Sequence, residues 1–537
     1  MKKFIIKVFM PIVVCLLCMQ TALAADKWHY PLEEPDGKFG GGEGTESAPY
    51  LITSAQQLAD LAYLVNDGKT YEGKYFKLTT DITLNDDQKF QYEWTPIGDI
   101  GTFINDFFSG YFDGGGHTVS GLYLTRGDQK SIGLFGCMSD AVVKNLTIKN
   151  CYMYGKFDGG NYGGFLAGYI LRTQVVNCNV VNSSILASSP NGGSKVAYVG
   201  GLVGEASESG SITGCSFSGE IKTMYTIGNI YEGGIAGDSK KLTIKNCRTD
   251  GTLSISIERI RTMSSNRNIT INGISNSAEK IMGCLNNISF EVIDAGTNDT
   301  DAIGLCLNTI CYQADYITRS ANLGKITVNG VEGYNGILGN VYTPNEIADC
   351  AFYTVVEGTF DSRSYGGKLT YLPLGKSGSK FTGQKRTVTL DESYFTTPNP
   401  NGLKRDDLYK DSEFAKRYAY ETNAATLKDN DDIFDKLNSG SRTAVWGRIF
   451  DENSPFNRCP LPLDAGGEYD NKKLNGEGTE ADPYLIGSEA ELNFFAKGVS
   501  NGTIETRGKY FALSADIYQP GLNVSIGNND ANPFRGT

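Results

Sequence analysis

The chain is short of the residues that most catalytic and metal sites need. Its 537 residues include two histidines and three tryptophans. The histidines, His29 and His117, share no acidic motif. They cannot form the H-E-x-x-H helix of a zinc protease, where two imidazoles one turn apart bracket a general base. Beyond Ala24 no C-x-x-C pair occurs, so the common zinc-finger spacing is missing too. Nor does any later stretch approach the ~20 apolar residues of a spanning helix. There is no basic stripe, and the net charge is −12. That balance excludes nucleic acid as a natural partner and disfavours docking on anionic lipid. The acidic run Asp429-Asn430-Asp431-Asp432 is interrupted by Ile433 and Phe434 where a calcium loop would need glycine, and reads as a solvated helix start. No cofactor is implied.

The segment from Met1 to Ala24 is a leader. Met1-Lys2-Lys3 is followed by an apolar run to Cys18, then by the small-x-small sequence Ala22-Leu23-Ala24. This is the pattern of a secretory signal peptide cleaved after Ala24. Leu17 stands before Cys18 where a lipid-anchor signal needs a small residue. The mature chain is therefore expected to be exported, to the cell surface or the extracellular medium.

Glycine (65) and tyrosine (30) are abundant, as in a β-rich, turn-rich protein. The glycines repeat. Ile132-Gly133-Leu134-Phe135-Gly136, Gly163-Gly164-Phe165-Leu166-Ala167-Gly168, Gly200-Gly201-Leu202-Val203-Gly204 and Gly233-Gly234-Ile235-Ala236-Gly237 are strong copies. Weaker ones lie at Gly273, at Gly304 and at Asn335–Gly339. A cysteine follows most of them: Cys151, Cys178, Cys215, Cys247, Cys284 and Cys350, with Ser320 in one copy. Spacings of roughly 27 to 37 residues suit one solenoid coil. Between the glycines run short Val-, Ile- and Thr-rich segments of period two, the strand signal. The expected fold is all-β: a single-stranded parallel β-helix. In such a stack equivalent positions recur at about 4.8 Å, so the six cysteines are expected to form a buried ladder of compact thiols. Ser320 would leave a disulfide scheme one partner short. A bridge between Cys306 and Cys311 stays open as an alternative.

A longer repeat overlies this one. Gly42-Glu43-Gly44-Thr45-Glu46 with Pro49-Tyr50-Leu51-Ile52 returns as Gly476-Glu477-Gly478-Thr479-Glu480 with Pro483-Tyr484-Leu485-Ile486. In the first copy, residues 54–68 read as a helix capped by Ser54 and ended by Gly68, with Leu58, Leu61, Ala62 and Val65 as its apolar stripe. With the strand 75–78 it is placed to cover the open end of the solenoid. The second copy is read as the start of a further, truncated module, which makes the sequence a piece of a longer protein. Residues 371–463 lose the repeat and show helical patterns near 412–420 and 431–438.

The Gly-Gly-Leu-Val-Gly segment at 200–204 and its siblings resemble the GLUG motif of bacterial surface proteins. Phe112-Asp113-Gly114-Gly115-Gly116-His117-Thr118-Val119-Ser120-Gly121-Leu122 resembles the coil that precedes such motifs. The resemblance covers about residues 42–463 and resumes at 476. It implies a β-helix in exported, adhesin-like proteins or in non-catalytic parts of immunoglobulin A-cleaving metalloproteases, and no activity by itself. The organisation expected is a signal peptide at 1–24, a linker at 25–41 and a small α/β N-terminal cap at 42–110. A GLUG-type β-helix follows at 111–370, then an irregular, partly helical C-terminal closing segment at 371–463, a linker at 464–475 and the second module at 476–537. The repeat glycines are Gly136, Gly168, Gly204, Gly237 and Gly339.

Parallel β-helices also host polysaccharide lyases and hydrolases, which need carboxylates at fixed separation, or a base beside them. Asp81, Asp113 and Asp158 are candidates, yet each sits at a strand end or Gly-rich turn where Asp braces backbone. Tyr152, Tyr154, Tyr162, Tyr169, Tyr198, Tyr225 and Tyr231 crowd the early coils and could meet a sugar or a protein partner. The expected function is a non-enzymatic surface module for adhesion, ligand binding or spacing, with an unknown protein or glycan ligand. A carbohydrate-active enzyme is the rival. Acids clustered in a groove beside a Lys or Arg would favour the enzyme; a flank of Thr, Asn and Tyr would favour binding.

Overall fold

The computed structural model describes residues 28–86, 90–100, 106–125, 130–157, 160–189, 196–225, 229–257, 267–294, 303–329, 334–348 and 350–358. Beyond these it describes 369–372, 389–391, 393–396, 419–422, 446–449, 454, 457–465, 474, 476–487, 489–500, 504–515, 517, 526 and 534–537. The segment 1–24 expected to be a leader, Asp158, and the acidic run 429–432 lie outside the described residues.

The strands wind into a parallel β-helix with two large sheets, one of 20 strands and one of 15. One coil serves for all. Tyr162–Gly163 leads into a glycine bend, then come Ala167–Leu171, Gln174–Val176 and the long strand Asn179–Ser189. The first three belong to the larger sheet and the last to the smaller. Each pairs in parallel with its counterparts one coil before and after. Alternation places Val175, Val180, Ile185 and Ala187 in a continuous apolar interior.

Two local devices shape the coil. The first is the glycine bend, where backbones of successive coils touch. A Cβ at Gly201 would lie 2.4 Å from the carbonyl oxygen of Gly234, and one at Gly234 would lie 2.3 Å from that of Gly273. The last glycine of each motif abuts the preceding coil. At Gly204 a Cβ would meet Gly168 O at 2.4 Å and Gly163 N at 2.6 Å; at Gly168 it would meet Ile132 N at 2.6 Å; at Gly237, Val199 N at 2.6 Å. At Gly136 it would lie 2.0 Å from the carbonyl oxygen of Gly98 in the cap. Gly339 is in register with Asn308.

The second device is a left-handed corner. Asn145, Asn177, Gly214, Asn246, Gly283 and Arg319 all have positive φ, between 49° and 65°. Asn and Gly adopt this conformation most readily. The residue after the corner turns inward, and at every one of these corners except Asn145, where Leu146 follows, its side chain completes the hydrogen bonding. Cys215 Sγ donates to Thr213 O (3.3 Å) and accepts from Cys178 N (3.3 Å). Ser320 Oγ does the same between Thr318 O (2.9 Å) and Cys284 N (3.1 Å). The column therefore runs Cys178, Cys215, Cys247, Cys284, Ser320, Cys350.

Cys151 is not in that column. Leu146 stands there, and Cys151 follows a different corner, at Asn150, where it stacks on Ser183. The ten described cysteines, Cys306 and Cys311 among them, are thiols with no disulfide between them. Burial holds the Cys215, Cys247 and Cys284 thiols well above their ordinary range.

The cap is built as its sequence suggests. Ser54 Oγ accepts from Gln57 N, and the helix Ala55–Asn66 buries Leu58, Leu61, Ala62 and Val65. Tyr50–Ile52 pairs with Tyr75–Leu78, which pairs with the first coil at Tyr111–Asp113. The described part of the expected linker, residues 28–41, packs on the cap: Trp28 is buried, donates to Leu84 O and packs against Trp94 at 5.3 Å. The second copy repeats the cap, with Tyr484–Ile486 paired to Phe511–Leu513 and the helix Glu489–Ser500 between them. A Cβ at Gly44 or Gly478 would lie 2.3 Å from the ring of Tyr50 or Tyr484, which explains the shared Gly-x-Gly and Tyr.

The β-helix does not stop at 370. Leu369–Leu372, Thr389–Asp391, Ser393–Thr396 and Ala419–Thr422 continue the parallel pairing. Backbone ladders need only strand-competent residues, so coils can go on after the glycine motif has lapsed. Ala419 and Tyr420, expected in a helix, lie in a strand. Residues 412–418 and 431–438 lie outside the described residues. An antiparallel hairpin of Trp446–Arg448 and Pro460–Pro462 then packs on the late coils, where the Tyr353 hydroxyl donates to Pro460 O.

One carboxyl lies inside the solenoid. Glu232 is in register with Val199 and Ile271, is fully buried, and receives a hydrogen bond from the Thr223 hydroxyl. Burial raises it from 4.5 to about 7.

Three outcomes are expected. Gly204→Ala should destabilise the chain by about 1–3 kcal/mol or more in denaturant unfolding, because its Cβ meets backbone that cannot move aside. Cys247→Ser should be tolerated far better than Cys247→Leu, since Ser320 already shows the hydroxyl filling this position. For Glu232, the folded state keeps a proton that the unfolded chain releases between pH 4.5 and about 7. Stability should fall by about 3 kcal/mol as pH rises through that window and level off above it. Glu232→Gln should match the parent at pH 4.5 and exceed it at pH 8; equal midpoints at pH 8 would contradict this.

Candidate functional site

At the glycine bend two strands of one coil meet at an angle, and side chains from both meet outside the bend. On one wall, Tyr162, Tyr198 and Tyr231 are register partners on three consecutive coils. Their ring centroids are 5.6 Å and 5.7 Å apart; the first pair is stacked at 11° and the second is edge-on at 78°. On the other wall, Cys137, Tyr169, Glu205 and Asp238 are register partners. Tyr162 and Tyr169 close the corner between the walls, with centroids 5.3 Å apart. The small motif glycines allow this approach, since the walls are only a few residues apart along the chain. The four tyrosines and Glu205 are half-buried, so the groove is shallow and reachable.

Burial, then Glu205 and Tyr169, push the Tyr162 phenol up to about 12. Tyr198 is also raised, by burial and then by Glu205 and Asp238. The tyrosines therefore present neutral hydroxyls at any ordinary pH. Glu205 is raised by burial and by Asp238, against an opposing pull from Lys240. Asp238 is fully buried. Its Oδ1 accepts from Ser239 N (3.1 Å), Asn276 Nδ2 (3.3 Å) and the Ser277 hydroxyl, and its Oδ2 faces Lys240 Nζ at 3.4 Å. One carboxylate thus faces outward, and the other braces the wall.

The acids singled out from sequence lie elsewhere. Asp81 Oδ1 accepts from Thr118 N (2.9 Å) and sits 3.2 Å from His117 Nδ1. Asp113 Oδ1 accepts from Gly115 N (2.9 Å) and Asn145 Nδ2 (3.1 Å), with Lys144 3.6 Å from Oδ2. Both brace turns. Of the seven tyrosines, Tyr162, Tyr169, Tyr198 and Tyr231 come together. Tyr152 belongs to a separate stack with Tyr123 and Phe90, Tyr154 follows it on the same strand, and the side chain of Tyr225 lies outside the described residues. Glu205, Asp238 and Lys240 were not singled out. Aligning consecutive copies on Gly204 and Gly237 would have lined Glu205 up with Asp238, since each directly follows its motif glycine.

The arrangement meets the enzymatic criterion in part: two acids and a lysine share a groove. A glycoside hydrolase needs both carboxylates on the scissile bond, and here Asp238 is occupied by four partners below the surface. The groove's outward chemistry is aromatic edges, phenol hydroxyls and one carboxylate.

Comparison with known proteins agrees with the repeat. The family described as "The GLUG motif" matches residues 196–222, the coil that carries Tyr198, Gly204 and Glu205. A "Putative Gly-rich membrane protein" of Evansella cellulosilytica is 30% identical over 152 residues, 27% of this chain and 16% of that protein. "Halomucin" of Haloquadratum walsbyi is 34% identical over 128 residues, 22% of this chain and 1% of that protein. The chain thus corresponds to a small part of each relative's length. A crystal structure titled "a putative immunoglobulin A1 protease from Bacteroides ovatus" aligns with 80% of this chain and 97% of its own, at 16% identity and a TM-score of 0.37. Among the described residues no helix is long and apolar enough to cross a membrane. The chain thus carries a GLUG motif at residues 196–222, seated in the glycine bend of a parallel β-helix.

Proposed function

We propose that this chain is a non-catalytic surface module that binds a ligand through the flank of its β-helix, in an adhesive role. The observation that carries this reading is the tyrosine row Tyr162–Tyr198–Tyr231, held in register by the same bend that defines the motif. Stacked rings also stabilise neighbouring strands, but a half-exposed row of amphipathic rings is the kind of surface enriched at recognition sites. The likeness to a protein named as Gly-rich and membrane-associated, and to one named as a mucin, supports a place at the cell surface. The burial of Asp238 supports binding over hydrolysis.

The test uses the purified chain beginning at Ala25. Immobilised on beads, it should retain intact cells or extracellular-matrix material, and it should release no reducing ends or unsaturated uronates from neutral or acidic polysaccharides. Turnover that disappears in Glu205→Gln would replace this reading with the enzymatic one.

A further inference from the structure

We infer that the tyrosine groove binds an uncharged glycan chain laid along the solenoid axis, with one sugar unit per coil across Tyr162, Tyr198 and Tyr231. This rests on the ligand-binding reading above and gives it a ligand class and a position.

Three observations carry it. The first is spacing. Coils rise by about 4.8 Å, and the tyrosine centroids are 5.6 Å and 5.7 Å apart. Hexose units of an extended glycan repeat on a similar scale, so successive sugars can keep step with successive coils over this short row. The second is chemistry. Sugars offer apolar C–H faces and ring hydroxyls together. The groove answers with aromatic edges, with neutral phenol hydroxyls that donate and accept, and with the outward Glu205 carboxylate, a strong acceptor for hydroxyl donors. The third is charge. Glu205 and Asp238 outweigh Lys240 at the site, and the chain carries −12 overall. Uronate or sulfated polymers are therefore repelled. An extended peptide is a poorer fit, because strand addition needs an unpaired edge. The groove lies on the face of a sheet whose strands at this place are already paired on both sides.

The experiment is a glycan array followed by calorimetry with the full chain. The probes are cellohexaose, mannohexaose, chitohexaose, polygalacturonate and a basic peptide, polylysine. At least one uncharged hexasaccharide should bind, more tightly than its disaccharide, and polygalacturonate should not compete. Tyr198→Ala should weaken binding by about tenfold, and Glu205→Gln should weaken it several-fold. Tyr123→Ala, in the other aromatic stack, should change nothing. Tyr198→Phe keeps the packed ring and removes only the hydroxyl, so it reports on binding even if the alanine variant misfolds; it should fall between parent and alanine. Binding of no uncharged glycan, preference for polygalacturonate or polylysine, or equal affinity in the parent and all three groove variants would each overturn the inference. If cells are still retained in such a case, the ligand-binding reading survives without this site. If the parent retains neither cells nor glycans, both fail.

Discussion

Everything in this molecule depends on how closely two backbones can approach at the glycine bend. Where Gly201, Gly234 and Gly273 follow one another, a single methyl group on either of the first two would sit 2.3–2.4 Å from a carbonyl oxygen of the next coil. That contact fixes the path of the coil, because a bend with side chains would splay the strands on either side. It also fixes their angle, since the closing glycines Gly168, Gly204 and Gly237 press against the coil before. From the angle follows the groove, with Tyr162 and Tyr169 meeting across a distance that two flanking strands with ordinary residues at the bend would not permit. The motif is a packing rule first, and the tyrosine groove is its by-product.

The corners obey a second rule, which explains why cysteine and serine exchange there. Next to each left-handed residue, an amide on the neighbouring coil needs a partner, and the carbonyl just before the corner, which already accepts a backbone amide, can take a second donor. A short side chain that donates and accepts serves both, and a thiol or a hydroxyl does so with nearly the same geometry; at the first corner Leu146 takes the position without these bonds. Compact size alone would equally have allowed alanine. Hydrogen bonding to the neighbouring coil's amide inside an apolar lumen is what favours these two side chains.

The architecture was largely legible because glycine spacing and period-two alternation are local signals. What escaped was register between look-alikes. Lys149-Asn150-Cys151 and Lys245-Asn246-Cys247 are the same tripeptide at different corners, and only long-range pairing tells them apart. The late coils were missed for the converse reason: past Phe352 pairing persists without the motif that announces it. At the site, the tyrosines were visible as a crowd, but their sorting into two separate stacks was not. The acids that matter, Glu205 and Asp238, lie a full coil apart along the chain and become neighbours only in the stack. Glu232 was readable in principle, since Ile230 and Glu232 share the inward parity of one strand, yet a carboxyl in that position contradicts ordinary expectation.

The buried thiols have a consequence for how the protein is made. Folded, the corner thiols are shut away from oxidants. Unfolded, the same chain exposes a string of cysteines with no native bridge to guide them, and any disulfide formed among them is a wrong one. In an oxidising medium, folding would be a race in which each coil must close over its thiol before an oxidant reaches it. A solenoid that grows by adding one coil to the last is well suited to win such a race, because shelter for each cysteine needs only its nearest neighbours.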